Sequence, residues 1–111
     1  MTYLRIEEIT YGEPVPQDVL EGLLELELVE YRREPAQPRE VVLVSERDAE
    51  ALRAMLRLAT VLEVNPAGVE TIMHMRRRMA EMQRELRRLR RLEATLAGRG
   101  ELIAKGYQTE R

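Results

Sequence analysis

The sequence predicts a mainly α chain, in which a small head of short helices carrying a two-stranded hairpin precedes one long coiled-coil helix. Three observations predict it. Ile72, Met75, Met79, Met82, Leu86, Leu89 and Leu96 recur at alternating steps of three and four, interrupted only by Glu93, which is a heptad stripe. Asn65 and Pro66 stand ahead of that stripe as helix-start signals, Asn accepting from a free amide and Pro filling the first position without losing a hydrogen bond. Upstream, apolar spacing changes from helical to alternating near Leu28 and back to helical after Ser45, so a strand pair lies between helices.

The elements follow in order. Tyr3 to Ile6 alternates weakly and leads into Ile6–Tyr11, enough for one or two helical turns before Gly12 ends them. Glu13 to Pro16 is a turn, with Val15 extended ahead of a proline and Pro16 placed to open a second helix, Gln17–Leu26. Leu20, Leu23 and Leu24 form its buried face; Asp18, Glu21 and Glu25 lie on the rest. Gly22 inside that helix costs about 1 kcal/mol relative to Ala, which a close packing contact would explain.

Leu28–Arg32 and Val41–Val44 are candidate strands that pair across a wing, Arg33–Arg39, whose Pro35 and Pro38 bar a strand there. Ser45 with Asp48 resembles a capping box for a third helix, Ser45–Leu62, facing inward with Ala49, Leu52, Met55, Leu56, Ala59 and Leu62. The long helix runs from Asn65 to about Ala97, where Gly98 and Gly100 stop it and leave a fraying tail. About thirty residues at 1.5 Å each span roughly 45 Å, more than a head of this size covers. The stripe therefore calls for a second copy, a homodimer. The expected organisation is a head over 1–64, a dimerisation helix over 65–97 and a flexible tail over 98–111.

Composition narrows the function. In 111 residues there is no Cys, Phe or Trp, so disulfides, thiolate catalysis and cysteine metal sites are excluded. No apolar run reaches the roughly eighteen residues of a membrane span, and the acidic start is wrong for a secretory signal, so a cytoplasmic protein without membrane contact is expected. The formal charge of -2 conceals an asymmetry. Residues 1–50 hold thirteen acids and five bases; the remainder holds the other thirteen of the 18 bases and seven of the 20 acids. The two halves cannot favour the same partner. Eight of the later bases are Arg76, Arg77, Arg78, Arg84, Arg87, Arg88, Arg90 and Arg91, read as a solvated helix flank.

Catalytic equipment is sparse. His74, the only histidine, has Glu70 and Arg78 one turn away on either side, so an exposed ion-pair ladder is the reading rather than a metal or acid-base role. Ser45, the only serine, is accounted for as a cap, and no glycine-rich phosphate loop is present. The expectation is a non-enzyme with no cofactor, metal or small-molecule substrate. Met73, Met75, Met79 and Met82 read as coiled-coil seam rather than as an adaptable peptide groove.

This order of elements resembles a winged helix-turn-helix of the mercury-resistance-regulator (MerR) type, whose second helix reads the DNA major groove. Recognition of DNA needs amides or bases on base edges and Lys or Arg on phosphates. From Pro16 to Glu30 the chain has no Lys, Arg or Asn and a single Gln, with Asp18, Glu21, Glu25, Glu27 and Glu30 in their place. Such a face repels DNA.

More narrowly, Val15-Pro-Gln-Asp-Val-Leu-Glu-Gly-Leu-Leu-Glu-Leu-Glu-Leu-Val-Glu30, Val41–Val44, Asp48–Glu63 and Asn65-Pro-Ala-Gly-Val-Glu-Thr-Ile72 resemble the bacterial chaperone-modulator family, degenerate relatives of the MerR type. The resemblance covers roughly Tyr3 to Leu92 and departs at the Glu13–Pro16 turn, the wing and the tail. It implies a homodimer that binds the J-domain of a DnaJ-like, curved-DNA-binding co-chaperone and inhibits its work with the DnaK-type chaperone. The five acids would form the patch that meets the basic J-domain helix. The alternative is a DNA-binding regulator related to the heat-shock repressors, using the Arg-rich helix or Arg32, Arg33 and Arg39 on phosphates.

Overall fold

The computed structural model describes the backbone of residues 2–109 and the side chains of residues 2–100. The element order is β1 (Tyr3–Arg5), α1 (Ile6–Ile9), α2 (Gln17–Leu24), β2 (Tyr31–Glu34), β3 (Val41–Ser45), a 3₁₀ turn at Glu46–Asp48, α3 (Ala49–Thr60) and α4 (Pro66–Thr109). Two compact units result, Met1–His74 and Met75–Arg111.

In the first unit the sheet has three strands rather than the expected two, in the order β1-β3-β2, all antiparallel. Tyr3 faces Ser45 and Arg5 faces Leu43 on one side of β3; Tyr31 faces Val44 and Glu34 faces Val41 on the other. The continuous run Val41-Val-Leu-Val44 suits this central position, since both edges are paired and Val42 and Val44 are buried. The hairpin strand sits later than Leu28–Arg32. Glu27 is left-handed (φ 57°), so the chain is still turning there, and Val29 is buried as loop before pairing begins at Tyr31.

The second helix ends at Leu24 rather than Leu26. Leu26 N–H and Glu27 N–H donate to the carbonyls of Leu23 and Leu24 at 3.2 Å, the tightened i→i+3 closure that precedes the left-handed Glu27. Its buried face is the expected Leu20, Leu23 and Leu24. A Cβ on Gly22 would meet Pro66 Cγ at 3.7 Å, an ordinary contact, so close packing does not account for that glycine.

The capping box at Ser45 does not form. Ser45 makes no side-chain cap; it is fully buried in the sheet, and Asp48 Oδ2 instead accepts the backbone N–H of Glu30 at 2.8 Å. The third helix consequently starts at Ala49. Ala49, Leu52, Met55 and Leu56 point inward and Ala59 packs against them, but Leu62 is 66% exposed. The helix stops at Thr60 and the chain reverses through a left-handed Glu63, with Val64 N–H donating to the Leu58 carbonyl at 2.9 Å, so the helical phase does not carry to Leu62.

Asn65 caps α4 as expected: its Oδ1 accepts Gly68 N–H at 2.8 Å. Val69 is fully buried in the core formed by α1, α2, α3 and β3, and Met73 packs against it. In the second unit α4 passes through Gly98 and Gly100 and continues to Thr109. Neither glycine takes the positive φ of a helix-terminating cap, and glycine in a helical backbone costs only about 1 kcal/mol, a weakening rather than a stop. The Leu102–Ile103 pair of the expected tail lies outside the described side chains. Met75, Met79, Met82, Leu86, Leu89, Leu92 and Leu96 are all exposed.

Candidate protein-interaction face of the head

The five acids singled out in the sequence fall into two sets with different surroundings. Glu21, on α2, accepts both terminal nitrogens of Arg33 on β2, at 2.9 and 2.5 Å, and also the amide of Gln17 at 3.0 Å. Arg33 reaches a second carboxylate, Glu40, at 3.2 Å across the hairpin. The guanidinium beside Glu21 holds its carboxyl below the usual carboxylate range, chiefly by hydrogen bonding, and Glu21 in turn raises the Arg33 pKa.

Glu30, just before β2, is similarly occupied. It accepts the Tyr3 hydroxyl at 3.0 Å and lies 3.2 Å from Arg47. That bond to Glu30 is the main cause that raises the Tyr3 phenol. Arg32 stacks over the Tyr3 ring at 4.0 Å and lies 3.7 Å from Glu34. Arg47 also approaches Asp48 at 3.9 Å.

Asp18, Glu25 and Glu27 are exposed, as Glu30 is, but none of the three has an ion-pair partner among the described residues. Asp18 and Glu25 are seven residues apart, two turns, so they share one face of α2 and its C-cap. Of the wing bases named for phosphate contact, Arg32 and Arg33 pair with carboxylates, and Arg39 is exposed with no ion pair among the described residues. The head thus exposes three carboxylates that pair with no cation among the described residues.

Other sequence candidates behave differently. His74 is exposed and, among the described residues, pairs with neither Glu70 nor Arg78, so the ladder is not formed. Among the later arginines, Arg88 pairs with Glu85 in a forked i,i+3 contact at 2.7 and 3.1 Å. No group of His, Cys, Asp or Glu among the described residues is placed to hold a metal. No helix is long and apolar enough to cross a membrane.

Arg53 was not anticipated. It is half-buried on α3, where its Nε donates to the Ile9 carbonyl at 2.9 Å and its guanidinium lies 5.3 Å from the Tyr11 ring centroid. The only signal in the sequence was an arginine flanked by inward-facing Leu52 and Met55, with Arg57 one turn on.

Helix, turn, helix, hairpin wing and a long following helix are together compatible with a winged helix-turn-helix protein. The chain belongs to a family described as MerR HTH family regulatory protein, whose family model matches residues 4–91, most of its length. No curated protein and no solved structure matches it.

Proposed function

We propose that this MerR-family chain is a non-enzymatic regulator whose head docks on a basic helix of a protein partner, the J-domain of a DnaJ-like co-chaperone, and blocks access of the DnaK-type chaperone. The observation that carries the reading is the face of α2. It exposes Asp18 and Glu25, with Glu27 in the turn that follows, and none has an ion pair among the described residues, while the wing base Arg33 is neutralised by Glu21 and Glu40. Charge complementarity of this kind sets partner choice and on-rate. The particular partner rests on the resemblance to chaperone modulators, to which the family match is silent. A cytoplasmic homodimer joined through the exposed stripe of α4 completes the proposal.

The test is titration of a labelled J-domain at increasing salt. Binding that weakens with salt and falls at least about tenfold in an Asp18→Lys, Glu25→Lys variant supports the reading. Absence of binding, or indifference to the charge reversal, overturns it.

The second reading, a DNA-binding transcriptional regulator, is the one the family match taken alone favours. It would rely on Arg39 and on the exposed arginines of α4. A gel shift over a salt series decides: several phosphate contacts impose a steep loss of affinity with salt, and a chain that shifts no DNA even at low salt is not such a regulator.

A further inference from the structure

We propose that the cavity between the α1–α2 loop and α3 binds a small organic anion, a single carboxylate carried on an apolar body. The cavity measures about 490 Å³, within the range of small-molecule sites, and its floor includes Ile9 and Leu56. Nothing in this inference depends on the acidic face of α2.

Three features converge there. Arg53 is held in place by its Nε bond to Ile9 and by the Tyr11 ring, so its terminal nitrogens are presented as a fixed fork; Arg57, four residues on, lines the same cavity. Neither arginine has an ion pair among the described residues. Ile9 and Leu56, both buried, line it with apolar surface beside Thr10. Tyr11 is left-handed (φ 55°) and 80% exposed, a strained backbone that holds an aromatic ring at the cavity mouth.

Charge sets the ligand class. The two guanidiniums meet one carboxylate in the lining, Glu13, which leaves one cation in surplus. One carboxylate balances it by a forked, charge-assisted contact with Arg53 and places its apolar body on Ile9 and Leu56.

The experiment is a nitrogen-15 and methyl NMR titration of the full chain with three probes, 3-phenylpropionate, 3-phenylpropanol and inorganic phosphate. The expected result is saturable movement of the Arg53 Nε–H and Thr10 methyl signals by 3-phenylpropionate, with the alcohol and phosphate at least about tenfold weaker. Arg57→Gln alters an exposed side chain and should weaken the carboxylate at least about tenfold. No saturable movement, equal response to the alcohol or to phosphate, or unchanged affinity in Arg57→Gln overturns the proposal.

Discussion

Arg33 on β2 forks onto the carboxylate of Glu21 on α2, one nitrogen on each oxygen, and so ties the wing to the second helix of the head. In a DNA reader those two elements would present cations to phosphate. Here each cancels the other's charge, and what remains on the α2 face is Asp18 and Glu25.

The Arg33–Glu21 bridge makes stability depend on acid. Glu21 titrates below its ordinary value because Arg33 hydrogen-bonds its charged form. A carboxyl depressed in the folded state stabilises the fold above its unfolded pKa, about 4.3, and that contribution is lost as pH falls through the lower folded value. Both side chains are about one-third exposed, so solvent screening limits the bridge to about 1 kcal/mol. Urea unfolding should show Glu21→Gln less stable by up to about that much at pH 7, with the gap to the native chain closing as the pH falls below the unfolded value. A gap that persists unchanged in acid contradicts the bridge.

Two glycines should answer oppositely to alanine. At Gly22 an added Cβ makes only an ordinary contact, and the helical backbone gains about 0.5–1 kcal/mol. At Gly68 the Cβ would stand 2.6 Å from Val64 Cγ1 and 3.2 Å from Asn65 Oδ1, the atom that caps α4. Displacing both should outweigh the propensity gain and leave Gly68→Ala less stable by about 1 kcal/mol or more. Thermal melts of the two variants read both signs; equal shifts would mean that the cap is not where Asn65 places it.

Local chemistry was legible in the sequence and pairing at a distance was not. Pro16, Asn65 and the Leu20-Leu23-Leu24 face act within a turn of themselves, and they appear where spacing puts them. The three residues of β1 are too few for alternation to register, and only pairing with Val44 makes them a strand. Asp48 looked like half of a capping box because Ser45 is three residues away, yet it serves Glu30, eighteen residues distant in the chain. The surroundings of the five acids were out of reach for the same reason: Arg33 and Arg47 arrive beside Glu21 and Glu30 from the hairpin and the turn after it. The cavity beneath Tyr11 gave no signal at all, because its wall is shared between a loop and a helix more than forty residues apart.

The boundary of the core can be tested on α3. Leu52 is fully buried, whereas Leu62, assigned to the same face by spacing, is 66% exposed. Leu52→Ala should cost about 2–5 kcal/mol through lost burial and the cavity left behind, and Leu62→Ala within about 0.5 kcal/mol. Urea midpoints at constant slope measure both. A comparable loss at Leu62 would mean that the helical phase extends past Thr60 after all.

The stripe of α4 carries the last prediction. Met75, Met79, Met82, Leu86, Leu89 and Leu96 leave 46% to 63% of each residue open, an apolar row along a helix that is otherwise largely charged. Burying such a row against its equivalent in a second copy removes it from water at roughly 25 cal/mol per Å² and satisfies the heptad spacing. Carboxylates at the centre of that seam would be desolvated without partners, which costs more than the seam gains there. Sedimentation should therefore give a dimer for the native chain and a monomer for Met79→Asp, Met82→Asp, with the head's thermal melt little changed because neither residue belongs to the unit Met1–His74. If the double variant still sediments as a dimer, the association runs through another face.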